Sequence, residues 1–240
     1  MEIKITYSYD GSHFHGMQRQ KNKITVQGEI EKVLKSVFNE DIHLISSGRT
    51  DRHVHALAQV SSFTIKKNIP LEAIKRQLNS SLFGKIRVID IKEVNDFHPR
   101  FHAKKRVYEY RFKFIDDISP FEARYISAIS YKNKLDLEKI NKNLSIFIGI
   151  HNFKSFSKFD KDQNLFVREI YNAYCYIENN TYIAIIEGSG FLKSQIRLMM
   201  ASCIFEDEEK IRKRLNLELE SIPKKIVSPY GLYLKEVIYD

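Results

Sequence analysis

Cysteine is almost absent: Cys175 and Cys203 are the only two in 240 residues, too few for a disulfide framework and without metal-ligand spacing. Both read as small buried hydrophobes, the usual role of a free cysteine. No apolar run approaches the roughly 20 residues that a membrane-spanning helix needs, so no membrane partner is expected. The opening residues, MEIKITYSYDG, read as a strand and lack the basic-then-apolar layout of a signal peptide. The expected location is therefore cytoplasmic. Neither a repeat of fixed period nor a low-complexity linker divides the chain. Acidic residues are also in deficit. Thirty Asp and Glu stand against 39 Lys and Arg, giving a net charge of +9 and a pI near 9.3. That balance favours a polyanionic partner, of which nucleic acid is the commonest.

What is present is mixed α+β patterning. In IKITYSYD, Ile3, Ile5, Tyr7 and Tyr9 alternate with polar residues at the period of a half-buried strand. Thr25 is placed to cap a helix whose apolar face is Val26, Ile30, Val33, Leu34, Val37 and Phe38. DIHLISS and VHALAQVSSFTI read as strands, Pro70 opens a second helix, and IRVIDIKEV returns as a strand. The second half repeats this grammar. RVYEYRFKF puts Tyr108, Tyr110, Phe112 and Phe114 on one face, Asp136 is placed to cap a helix, and Asn179-Asn180 joins two strands as a hairpin turn. Helices are expected from Phe191 towards Cys203 and from about Glu206 to Leu217, with GLYLKEVIYD as a closing strand. Two α+β lobes are expected, residues 1–103 and 104–240.

The densest chemistry lies in GRTDRHVHA, residues 48–56, which crowds Arg49, Asp51, Arg52, His53 and His55 into one short stretch. Three readings compete. On a strand, Asp51, His53 and His55 would share a face, as metal ligands must, and a first-row metal accepts two imidazoles and a carboxylate. Arg49 and Arg52 weigh against a dication there, since two fixed positive charges would repel it. A solvated loop is the plain alternative, because Gly48 and Thr50 are ordinary turn residues. The third reading is an acidic catalyst held among cations. This stretch alone leaves all three open.

Its context is more specific. YDGSHFHGMQRQ, TVQGEIE, SSGRTDRHVHALAQVSSF, FHPRFHAKKRVYEYRF, FKSFSK, GSGFLKSQIR and SPYGLYL follow one another in that order across nearly the whole chain. This ordered set resembles the TruA family of tRNA pseudouridine synthases. The resemblance implies a pseudouridine synthase fold: two ferredoxin-like lobes with mainly antiparallel sheets joined across a central basic cleft. It also implies an isomerase acting on uridine at positions 38 to 40 of the tRNA anticodon stem-loop, without cofactor or metal, and a homodimer that handles tRNA.

Residue by residue, the resemblance makes Asp51 the essential aspartate and Arg197, in FLKSQIR, the basic residue that pairs with it. Tyr108, in RVYEY, matches the tyrosine that packs on the target base. Leu232, in GLYL, matches an apolar contact beside the uracil, and Arg49 belongs to the lever that holds the everted base. The residue types suit that chemistry. A carboxylate serves either by adding to the uracil ring or by assisting departure at C1′. Burial opposes its ionisation, and a neighbouring guanidinium favours it. A paired uridine must leave its stack at a cost of a few kcal/mol and be held by stacking and apolar contacts.

Each assignment has a plainer reading beside it. Tyr108 belongs to an aromatic stripe of the kind that usually lines a core, Arg197 reads as a helix-surface cation, and Leu232 as core. Lys104, Lys105 and Arg106, with Arg100, Arg111, Lys113, Lys154 and Lys158, are candidate phosphate contacts, although a solvated surface accounts for such cations equally. His98 and His102 are candidates to face RNA. The chain departs from the family pattern at Arg52 and His53, which replace a small Ala-Gly pair. A Gly there would allow positive φ, which His adopts only at a cost. Arg52 and His53 are therefore candidate RNA contacts. Met17 stands where Trp is usual, and Pro99 replaces a small residue. Two other functions remain to be distinguished: a non-catalytic RNA-binding module built on KRVYEYRFKF, and a metal-dependent nuclease built on Asp51, His53 and His55.

Overall fold

Ile3, Ile5, Tyr7 and Tyr9 are all buried along the first strand, β1 (Glu2–Tyr9), while the residues between them are half-exposed. The period-two pattern of the sequence is thus the burial pattern of the strand. The protein is seen in a computed structural model that describes residues 1–67, 69–130, 135–158 and 164–239. The chain folds into two compact units, Met1–Lys104 with Tyr233–Asp240, and Lys105–Leu232.

In the first unit, β1 lies antiparallel between β3 (His55–Thr64) and β4 (Ile86–Val94), and the short β2 (Ile45–Ser46) pairs with β3. Helix α1 (Val26–Phe38) starts where Thr25 accepts the Gly28 amide at 3.2 Å and stops at Asn39, which takes a left-handed conformation. Val26, Ile30, Leu34 and Phe38 form its buried stripe. Helix α2 (Leu71–Ser81) follows Pro70 and buries only Ile74 and Leu78. The C-terminal strand, β10 (Leu232–Ile238), pairs Tyr233 and Leu234 in parallel with His55 and Ala56. The lobe boundaries expected from the sequence keep this strand with the second half. Residues from Tyr233 onward instead group with the first unit, because backbone pairing with β3 joins them there.

In the second unit, β5 (Lys105–Phe114), β9 (Thr181–Gly188), β8 (Val167–Glu178) and β7 (Gly149–Asn152) pair antiparallel in that order, and β6 (Ser127–Ile129) runs parallel to β5. The β8–β9 turn holds Asn179 and Asn180 at φ +47° and +58°, the two positive values that a type I′ hairpin demands. Helix α3 (Leu137–Ser145) is capped by Asp136, which accepts the amides of Glu138 and Lys139. It packs on β8 and against α4 (Gln195–Phe205), which is buried along its length except at Arg197 and Phe205. Helix α5 (Glu208–Leu215) starts at a cap by Asp207. Both units are α+β with mainly antiparallel pairing, and both cysteines are buried. Among the described residues no helix is long and apolar enough to cross a membrane.

Candidate active site

Asp51 follows Thr50 in a turn tied from three directions. The Thr50 hydroxyl lies 2.7 Å from the Tyr9 hydroxyl, its carbonyl accepts the Met17 amide at 3.1 Å, and the Asp51 carbonyl accepts the Val54 amide at 3.2 Å. Upstream, Ser47 donates from its amide to the Val60 carbonyl and from its hydroxyl to Gln59, whose side-chain amide donates to the Gly48 carbonyl. Two glycines of the YDGSHFHG stretch make room for the turn. A Cβ on Gly11 would collide with the Val54 carbonyl, and Gly16, at φ +104°, would bring one to 3.0 Å from the Thr50 oxygen. The Asp51 carboxylate is therefore carried on a backbone with little freedom to move. Asp51 itself is half-exposed, and Arg49 and Arg52 flank it on the surface.

His53 adopts φ +66°, the left-handed conformation that its replacement of a small residue made costly. Burial, then the adjacent Arg52 cation, push its imidazole below the ordinary 6.5. His55 is buried, and its Nδ1 accepts the Gly11 amide at 3.1 Å while its ring stacks on Tyr233 at 4.7 Å. Asp10 Oδ1 also lies 3.3 Å from that nitrogen. Asp10 in turn accepts the Ser12 amide at 2.9 Å. His55 thus holds the GRTD turn against the YDG loop. The Asp51-His53-His55 metal reading fails on geometry: among the described residues no three His, Cys, Asp or Glu side chains are grouped to hold an ion.

Tyr108, Arg197, Leu232 and most of the basic candidates belong to the second unit. Tyr108 is half-exposed on β5, with Phe191 edge-on at 5.2 Å. Its neighbours in the stripe, Tyr110 and Phe112, are fully buried, so the core reading suits those two and not Tyr108. Arg197 is half-exposed on α4, where its Nε donates to the Val227 carbonyl at 2.9 Å. That bond holds the stem of the guanidinium against the segment leading to SPYGLYL. Leu232 is buried, next to Gly231, where a Cβ would strike the Arg111 carbonyl. Of the basic candidates, Lys105 pairs with Glu187 at 2.7 Å and Arg106 donates to the Ser189 carbonyl at 2.7 Å. Arg111 pairs with Glu109, and Lys113 with Glu122. Lys104 and Arg100 are exposed in the first unit. Sequence reasoning missed Thr50, Tyr9 and His55 as supports of the Asp51 turn; the signal for them was the pairing of the YDG and GRTD blocks.

A family model described as tRNA pseudouridine synthase matches residues 5–102 and 144–240. The chain belongs to the tRNA pseudouridine synthase family. Among its relatives, the protein named tRNA pseudouridine synthase A of Borrelia turicatae is 38% identical, with 99% of this chain and 98% of that protein aligned. The proteins of the same name from Caldicellulosiruptor bescii and from an Exiguobacterium species are 35% and 36% identical, again with 99% of this chain and 99% and 98% of theirs aligned.

Proposed function

We propose that this protein isomerises uridine to pseudouridine in tRNA, at positions 38 to 40 of the anticodon stem-loop, with Asp51 as the catalytic carboxylate. The carrying observation is family membership over both matched segments, joined to a half-exposed Asp51 on a turn locked by Thr50, Tyr9 and Met17. In the reaction the N1–C1′ bond breaks, C5 bonds to C1′, and the C5 proton leaves while N1 gains one. Substrate and product are isomers, so neither an electron carrier nor a group donor enters the stoichiometry. Asp51 either adds to the ring or assists at C1′. Arg197 is proposed as the basic partner of that carboxylate in the reaction. Tyr108 offers the ring against which the everted uracil packs, Leu232 an apolar edge, and Arg49 holds the base outside the stem. Arg52, His53, Lys104, Lys105 and Arg106 are proposed RNA contacts. A cytoplasmic homodimer with a basic cleft completes the reading.

The test uses tRNA transcripts carrying C5-tritiated uridine, with and without EDTA. Tritium is expected to be released from intact RNA, unaffected by chelator. Asp51→Asn is expected to lower the rate by about a thousand-fold or more while changing tRNA affinity little. Retained turnover in that variant would falsify the assignment. Binding without tritium release would point to an RNA-binding module, and chelator-sensitive cleavage to a nuclease.

A further inference from the structure

Phe101 is 74% exposed, which is ordinary for a lone surface hydrophobe, but its ring is held in a defined plane. It stacks on the His98 imidazole with centroids 4.2 Å apart and planes 27° from parallel, and the Arg100 guanidinium carbon lies 5.9 Å from its centroid. The turn beneath Phe101 is closed by its own residues. The His102 amide donates to the His98 carbonyl at 3.1 Å, and the His98 amide donates back to His102 Nδ1 at 3.3 Å. His98 Nδ1 accepts the amides of both Arg100 and Phe101 at 3.2 Å. Both imidazoles therefore serve as acceptors that shape the backbone.

The base of this turn is anchored just as closely. Pro99 has a restricted φ, and its carbonyl accepts the Tyr239 hydroxyl at 2.9 Å. Phe97 packs on Tyr239 at 5.0 Å, with the Lys4 ammonium over both rings at 4.5 and 4.2 Å. The result is an anchored knuckle: a largely exposed aromatic ring with His98 stacked against it, the Arg100 guanidinium over it, and exposed Lys104 following in the chain. Unpaired nucleobases stack on such rings and on arginine planes, and a ring already packed against an imidazole has less rotamer freedom to lose when a base lands on it.

We propose that the His98–Phe101 knuckle is a stacking platform for an unpaired nucleobase of the bound tRNA, distinct from the uridine that reacts. This rests on the tRNA reading above and on charge complementarity, in a chain of net charge +9. The platform orders the RNA by stacking, which is sequence-tolerant and releases no counterions.

The test compares wild type, Phe101→Ala and Phe101→Trp by tRNA binding over a range of salt concentrations, tritium-release kinetics, sedimentation and thermal melting. Phe101→Ala is expected to raise both Kd and KM about ten-fold, with the loss in KM rather than kcat. The salt slope should match wild type, because no phosphate contact is removed, and Phe101→Trp should restore affinity. An exposed ring contributes little to the core, so the melting temperature should hold. The proposal is overturned if Phe101→Ala binds tRNA as wild type does, or if its weaker binding comes with dissociation of a dimer, which would make the knuckle a contact between copies. Wild type that neither binds nor turns over the transcript would defeat the synthase reading itself. A Phe101→Ala protein identical to an active wild type would defeat only the platform.

Discussion

His53 holds φ +66°, a conformation that costs a residue bearing a Cβ roughly 1–2 kcal/mol. Its imidazole also sits below the ordinary 6.5, chiefly through burial and then through Arg52. The two effects are separable in His53→Gly. At neutral pH the glycine relieves the backbone, and the expected gain is about 1 kcal/mol, reduced by whatever contacts the ring makes. As pH falls below 6.5, the unfolded wild-type chain takes up a proton that the folded His53 resists, so wild-type stability declines. The glycine variant lacks that contribution. Urea unfolding at stepwise lower pH should therefore show the variant's advantage widening; a narrowing gap would mean that the ring gains, rather than loses, affinity for protons on folding. That a residue so awkward stands two positions after Asp51 suits a surface turn under functional constraint, where such strain collects.

At the level of elements, the corner between α4 and α5 carries a buried ion pair. Glu206 accepts from the Ser202 hydroxyl at 2.6 Å and from Arg214 at 2.9 Å, and Arg214, only 3% exposed, also donates to the Ser221 carbonyl. Removing the carboxylate strands a buried guanidinium, so Glu206→Ala is expected to destabilise by about 3–5 kcal/mol. Glu209 and Lys213 form an exposed i,i+4 pair on the same helix. There Glu209→Ala is expected to cost at most about 0.5 kcal/mol. Parallel urea titrations of the two variants check the contrast, and equal losses would remove the claim that burial decides. In the sequence, EDEEKIRKR is a run of charged residues broken only by Ile211. The helix start is visible there to within two residues, but the buried pair is indistinguishable from its neighbours, because burial depends on which elements pack around it.

For the whole molecule, the excess of 39 basic over 30 acidic residues does not translate directly into phosphate contacts. Lys113 bonds to Glu122, whose carboxyl is held down to about 2, first by that bond and then by the Ser119 amide. Lys104 is exposed in the first unit. Replacing Lys104 by Gln is expected to weaken tRNA binding and to lower the slope of log affinity against log salt by about one. Lys113→Gln should leave that slope as it is and return Glu122 towards the ordinary carboxylate range. Binding isotherms at several salt concentrations test both, and an unchanged slope for Lys104→Gln would remove it from the RNA contacts.

Elements whose signals are local were legible in the sequence. Thr25 and Asp136 cap their helices, Asn179-Asn180 turns its hairpin, and β1 alternates as its residues do, because caps, turns and pleats depend on the φ, ψ and hydrogen bonds of adjacent residues. The family, too, was written in the order of seven short blocks, and Asp51 stood out among them. Tertiary structure alone decided what is long-range. It paired the C-terminal strand in parallel with β3, turned His55 inward towards Gly11 and Tyr233, buried Arg214 with Glu206, and tied the Tyr239 hydroxyl to the Pro99 carbonyl. No local pattern encodes those partners, since each forms only when distant segments are brought together and water leaves the space between them.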